Sequence, residues 1–78
     1  MASFDPYHQW LDIPPEEQPP TYYRLLGIPR FESDRNVIAA AAERQTIHLR
    51  TFQAGPHSKM AEQLLKRVIT ARVTLLSP

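Results

Sequence analysis

Residues 34–54 read DRNVIAAAAERQTIHLRTFQA and residues 59–76 read KMAEQLLKRVITARVTLL, and the periodicity of these two stretches decides the fold. The first is free of Pro and Gly and repeats Ile38, Ala42, Gln45, Leu49 and Phe52 at steps of three or four, the period of one helix face. Ser33 or Asp34 is placed to cap its first amides. Gly55 and Pro56 are placed to stop it, because Gly accepts a left-handed residue after a helix and Pro cannot continue one. The second stretch has Ser58 as its N-cap and carries an apolar stripe of Ala61, Leu64, Leu65, Val68, Ala71, Leu75 and Leu76. Only the residues around Gly55, Pro56 and His57 join the two helices, and so short a connection makes them antiparallel neighbours. An all-α helical hairpin is therefore predicted. The run Ala39 to Ala42 favours helix, and its small side chains allow a second helix to approach closely.

Six of the eight prolines fall before residue 30, so the N-terminal part follows different rules. TYYRLLGI, residues 21–28, has Thr21 to cap and Gly27 to stop a two-turn helix, with Tyr22, Leu25, Leu26 and Ile28 expected against the hairpin. Asp5 followed by Pro6 marks another helix start, with Tyr7, Trp10 and Leu11 on one side. Between these, IPPEEQPP at residues 13–20 must be extended or turning, because a residue preceding Pro is pushed out of the α region. We read it as a strap that lays Trp10 onto the core, the alternative being a Pro-rich docking ligand. Residues 1–20 thus form a short helix plus strap and residues 21–78 a three-helix domain, together one folding unit.

A chain of 78 residues holds one domain, since independent domains seldom fall below about 50 residues. The formal charge of +1 gives no strong positive field, and the absence of cysteine closes disulfide frameworks, thiolate metal sites and cysteine nucleophiles. No basic region followed by an apolar run opens the chain, and nothing approaches the roughly 20 apolar residues of a membrane span. A soluble, cytoplasmic protein is the expectation. Because the sequence stops at Ser77 and Pro78, directly behind a helix, it is expected to be a fragment of a longer protein.

The order TYYRLLGI, long helix, loop, and a second helix ending ITARVTLLSP resembles the J-domain pattern over residues 21–78. The likeness lies in Tyr22, Tyr23, Leu26, Gly27 and Ile28, then Ile38 and Ala41, then Leu65, Val68, Ala71 and Leu75, all packing positions. It implies a short helix crossing an antiparallel pair. Where J-domains carry the His-Pro-Asp tripeptide that triggers ATP hydrolysis by an Hsp70 chaperone, this chain has Arg50, Thr51 and Phe52, and neither His48 nor His57 is followed by Pro and Asp. The basic face used for docking to the chaperone is thinned to Arg35, Arg44 and Arg50, with Glu43 between. The resemblance therefore implies a J-like fold put to another use. Residues 5–28, DPYHQWLDIPPEEQPPTYYRLLGI, also resemble a recurring module of planctomycete bacterial proteins, which implies an adaptor or targeting role.

His8, His48 and His57 share no metal-ligand spacing, and they read as surface histidines rather than ligands. There is no G-x-S-x-G, and Glu16, Glu17, Glu32 and Asp34 occupy loop or helix-start positions where solvated carboxylates are ordinary. No enzyme and no cofactor is expected. Charge divides the chain: Arg24 and Arg30 face six acids before residue 35, whereas Arg35, Arg44, Arg50, Lys59, Lys66, Arg67 and Arg72 face only Glu43 and Glu62. The basic half is read as a solvated outer face, and as a nucleic-acid or acidic-protein surface in the alternative. Arg72 stands where the family has an aromatic and is expected to lay its stem over the core. The function predicted is protein recognition, with another protein or another domain of the same longer chain as partner. Arg44, His48, Arg50 and Phe52 are the candidate contact residues, and Tyr7 and Trp10 a second aromatic patch. Phe52 is open to two readings, the last plug of the core or an exposed anchor. An Hsp70 co-chaperone with an altered loop is the alternative function, and packing of the Ala-rich helix on a second copy is a further possibility.

Overall fold

The computed structural model describes residues 4–77, and among these there is helix and turn but no strand. Four α-helices follow in order: α1 Pro6–Leu11, α2 Tyr22–Leu26, α3 Arg35–Arg50 and α4 Ser58–Leu76, with a single 3-10 turn, Pro15–Glu17, between the first two. The fold is all-α. No helix is long and apolar enough to cross a membrane among the described residues.

The α3 and α4 helices pack side by side in opposite directions: Arg35, opening α3, donates from Nη1 to the carbonyl of Leu76 at the close of α4, 2.6 Å away. Ala41, Ala42, Ala61 and Ala71 are all buried. Side chains that end at Cβ let the two backbones approach, and Ile38, Leu49, Leu64 and Val68 fill the space between them. Asp34, not Ser33, caps α3, its Oδ1 accepting from the amides of Asn36 at 2.9 Å and Val37 at 3.4 Å. The small helix α2 lies against both long ones.

The short helix α2 is bounded as the residues predict. Thr21 Oγ1 accepts from the Arg24 amide at 3.1 Å, and Gly27 adopts φ +74°. The Gly27 amide bonds the Arg24 carbonyl and the Ile28 amide that of Tyr23, the paired bonds of a Schellman ending. A side chain at Gly27 would find room, its nearest neighbour being Gln45 Nε2 at 3.8 Å, so the left-handed backbone is what requires glycine. Leu25, Leu26 and Ile28 are buried as expected. Tyr22 is not: it is 39% exposed at the rim of a groove with Gln63, Lys66, Arg67 and Thr70, because the first residue of so short a helix overhangs the edge of α4. Tyr23 packs against the core instead. Gln45, counted in the apolar stripe of α3, acts as a polar staple, donating from Nε2 to the Leu25 carbonyl at 3.0 Å near the open end of α2.

Two boundaries differ from expectation. The α3 helix ends at Arg50 rather than continuing to Ala54. The next residues tighten into turns whose amides reach back three residues: Thr51 to His48, Phe52 to Leu49, Gln53 to Arg50 and Gly55 to Phe52. Thr51 Oγ1 also takes the His48 carbonyl at 2.6 Å, so the helix end is satisfied before Gly55 is reached, and Gly55 is not in the left-handed region. The N-cap of α4 is His57, without a side-chain bond to the helix, while Ser58 is already inside it.

The strap is the larger surprise. Ile13, read as part of an extended tether, is 0% exposed and stands among the largest fully buried side chains. It reaches the core because α1 ends on Asp12 in a left-handed conformation, φ +56°, with the Asp12 amide bonded to the His8 carbonyl and the Ile13 amide to that of Tyr7. The strap is then fastened by two side chains. Gln18 Nε2 donates to Asp5 Oδ2 at 2.9 Å and to the Ile13 carbonyl at 3.2 Å. Arg24 donates to Glu17 Oε1 at 3.0 Å and to the Asp12 carbonyl at 2.9 Å. The Gln18 amide is the main reason the Asp5 carboxyl is held below its ordinary 3.8, outweighing the desolvation that pushes it the other way, with the His8 amide helping.

Replacing Ile13 by Ala removes a fully enclosed side chain, and a loss of about 2 to 5 kcal/mol is expected from denaturant titration followed by circular dichroism. A loss comparable to that of an exposed control such as Ile69→Ala would show that the strap does not belong to the core.

Candidate interaction surface at the helix junction

The turns after α3 and the helix α1 meet in a cluster of rings. The Trp10 indole stacks on Phe52 at 4.3 Å between centroids and 10° between planes. Phe4 meets Trp10 edge-on at 5.3 Å and lies flat on His57 at 3.9 Å, while His48 presents its edge to Phe52 at 5.2 Å. The backbone is tied in as well: His48 Nε2 lies 2.7 Å from the Trp10 carbonyl. A carbonyl only accepts, so Nε2 carries the proton, and this bond takes up one of the orphan carbonyls at the end of α1.

This geometry follows from local sequence. Pro6 and the Asp5 cap, accepting from the His8 amide at 3.3 Å, set the direction of α1. One turn of helix then carries Tyr7 and Trp10 to the same side as Leu11. On the other side, the unwinding of α3 past Arg50 swings Phe52 off the helix path and under the indole. Aromatic pairs in such stacked or edge-on arrangements contribute about 0.5–1.5 kcal/mol beyond the area they bury.

Trp10, His48 and Phe52, expected in two separate patches, are therefore one patch. Tyr7 and Trp10 pack against the core, and Phe52 is half-buried against the Trp10 and His48 rings. Arg44 is exposed one helical turn before His48, on the same face of α3. Arg50 diverges: it lines an open groove with Ala39, Glu43, Thr46, Ile47 and Arg72. Arg72 is exposed there. Neither Arg44 nor Arg50 enters an ion pair among the described residues, where the salt bridge is Arg24 to Glu17. Phe4 and His57 complete the cluster and went unrecognised in the sequence, because only the tertiary fold brings positions so far apart along the chain together.

Among the described residues no three His, Asp or Glu side chains are grouped so as to hold a metal ion, and no buried side-chain nitrogen or oxygen lacks a partner. No family model, no curated protein and no solved structure matches the chain.

The stacked pair makes a quantitative prediction. In a double-mutant cycle with Trp10→Ala and Phe52→Ala, unfolding free energies should show a coupling of about 0.5–1.5 kcal/mol, and additivity would mean that the rings do not support one another.

Proposed function

We propose that this chain is a non-catalytic protein-recognition module, a degenerate relative of the J-domain arrangement that serves as an adaptor for another protein or for another domain of a longer chain. The observation that carries this reading is the junction of Trp10, His48 and Phe52, half-buried to exposed, with Arg44, which enters no ion pair among the described residues, one turn away on the same helix face. Aromatic rings beside an arginine are the composition of interface hot spots: large rigid area with a fork of donors at its edge.

The J-like part of the reading is supported by the likeness of TYYRLLGI and ITARVTLLSP to the opening and closing motifs of that family, and by a short helix lying across a long pair. Such an arrangement would normally trigger an Hsp70 chaperone through the loop after its first long helix. Here Arg50, Thr51 and Phe52 occupy that loop, and Phe52 is engaged with Trp10. A ring stacked on the indole has no chemical equivalence to an acidic trigger, so the loop serves packing and recognition instead.

Two assays test this. In affinity capture followed by mass spectrometry, Arg44→Glu should reduce recovery of the bound protein about tenfold, the effect of losing one good charged contact, with unchanged circular dichroism. Arg50→Glu, on the other side of α3, should reduce it less. Equal recovery with wild type and both variants would contradict the proposed surface. ATP turnover by an Hsp70 chaperone should stay at its basal rate when the chain is added, and stimulation would replace this reading with that of an active co-chaperone.

A further inference from the structure

The turn between α2 and α3 holds a feature that neither the core nor the junction explains. The Glu32 amide bonds the Pro29 carbonyl at 3.2 Å, closing a turn with Arg30 and Phe31 at its centre. Phe31 has φ +66°, the third position of a type II kind of turn, which Gly or Asn normally fills because a side chain there strains the backbone. Strain of this sort persists only where something offsets it. Burial of the ring does not: Phe31 is 74% exposed, the most exposed of the large apolar side chains among the described residues.

The surroundings of the ring define what it could meet. Tyr23 touches it edge-on at 5.9 Å, and the Arg30 guanidinium carbon sits 5.3 Å from its centroid. Tyr23 and Arg30 also border a groove of about 270 Å³ whose apolar lining includes Pro19 and Ile28. The other charges nearby are engaged: Arg24 with Glu17 and the Asp12 carbonyl, and Glu32 with the Asp34 amide at 3.1 Å. Of the charged residues lining the groove, Arg30 has no hydrogen bond or ion pair among the described residues, so the charge left without a polar partner there is a single guanidinium lying over the Phe31 ring.

We propose that the turn at Arg30 and Phe31 is a second docking point, fitted to a protein segment that lays apolar area on the exposed Phe31 ring and into the adjoining groove of Tyr23, Pro19 and Ile28, with a neighbouring carboxylate on Arg30. The complementarity is one free cation to one anion, with apolar area to either side. A single strand of nucleic acid also stacks on aromatic rings, but it needs a track of cations along its backbone. Here the groove is lined by two cations, of which Arg24 is taken up by Glu17, so among the described residues Arg30 stands by itself there and no track for a chain of phosphates exists.

The strained position supplies its own control. Phe31→Gly removes the ring while placing at φ +66° the residue that the turn prefers, so the fold should survive it with an unchanged or raised melting temperature. Random peptides displayed on phage are selected on the whole wild-type chain, and an enriched peptide is synthesised, labelled and titrated by fluorescence anisotropy. Selected peptides should share an apolar residue next to Asp or Glu. Affinity for the synthetic peptide should fall about tenfold in Phe31→Gly and severalfold in Arg30→Gln, while Arg44→Glu leaves it unchanged, which separates this surface from the junction. Four results would overturn the proposal: peptides enriched without an acid, binding unaffected by Phe31→Gly, a lower melting temperature in that variant, or tighter binding of a single-stranded oligonucleotide than of any selected peptide.

Discussion

Everything else in this fold rests on how closely α3 and α4 lie together, and that closeness depends on four alanines. Ala41 and Ala42 on one helix and Ala61 and Ala71 on the other are buried, leaving Ile38, Leu49, Leu64 and Val68 to interdigitate around them. A pair of helices this close still exposes one broad apolar side. Chains of this length bury too little surface to leave such a side open, and α1, the strap and α2 are laid across it. Leu25, Leu26 and Ile28 arrive from α2, Leu11 and Ile13 from the segment before it.

Polar groups make that covering specific. Each place where the N-terminal segment crosses the hairpin or folds on itself is marked by a side chain that takes a carbonyl otherwise left without a partner: Gln45 on Leu25, His48 on Trp10, Arg24 on Asp12, Gln18 on Ile13. Hydrophobic area sets how strongly the segment binds, and these directional bonds set where it stops. The aromatic junction follows from the same register. Because His48 holds the end of α1, the Trp10 ring has nowhere to lie except over Phe52.

Local signals in the sequence predicted local structure well. The stripes of both long helices, the Thr21 and Gly27 bounds of α2, and the Asp5 and Pro6 start of α1 are carried by residues within one or two turns of the feature they specify. What was illegible depends on distant partners. Ile13 sits in a proline-rich stretch with no periodicity, and only the left-handed Asp12 turns it inward. The end of α3 was misplaced because Gly55 and Pro56 are strong stop signals, yet Thr51 and the pull of Phe52 toward Trp10 end the helix a full turn earlier. In the candidate surface, the residue types were recognisable, but not that Trp10, His48 and Phe52 form one patch while Arg50 faces another way. Phe31 was invisible, since a bulky residue in a left-handed turn leaves no mark in composition.

A distance between spin labels tests whether the two long helices fold back on each other. The chain has no cysteine, so Asn36→Cys and Thr74→Cys, both at exposed positions, label the start of α3 and the end of α4 cleanly. Helix axes about 8–10 Å apart, with the labels added, predict a single narrow separation of roughly 20 Å by pulsed electron resonance. A separation approaching about 60 Å, the length of an unbroken helix between those residues, would contradict the account.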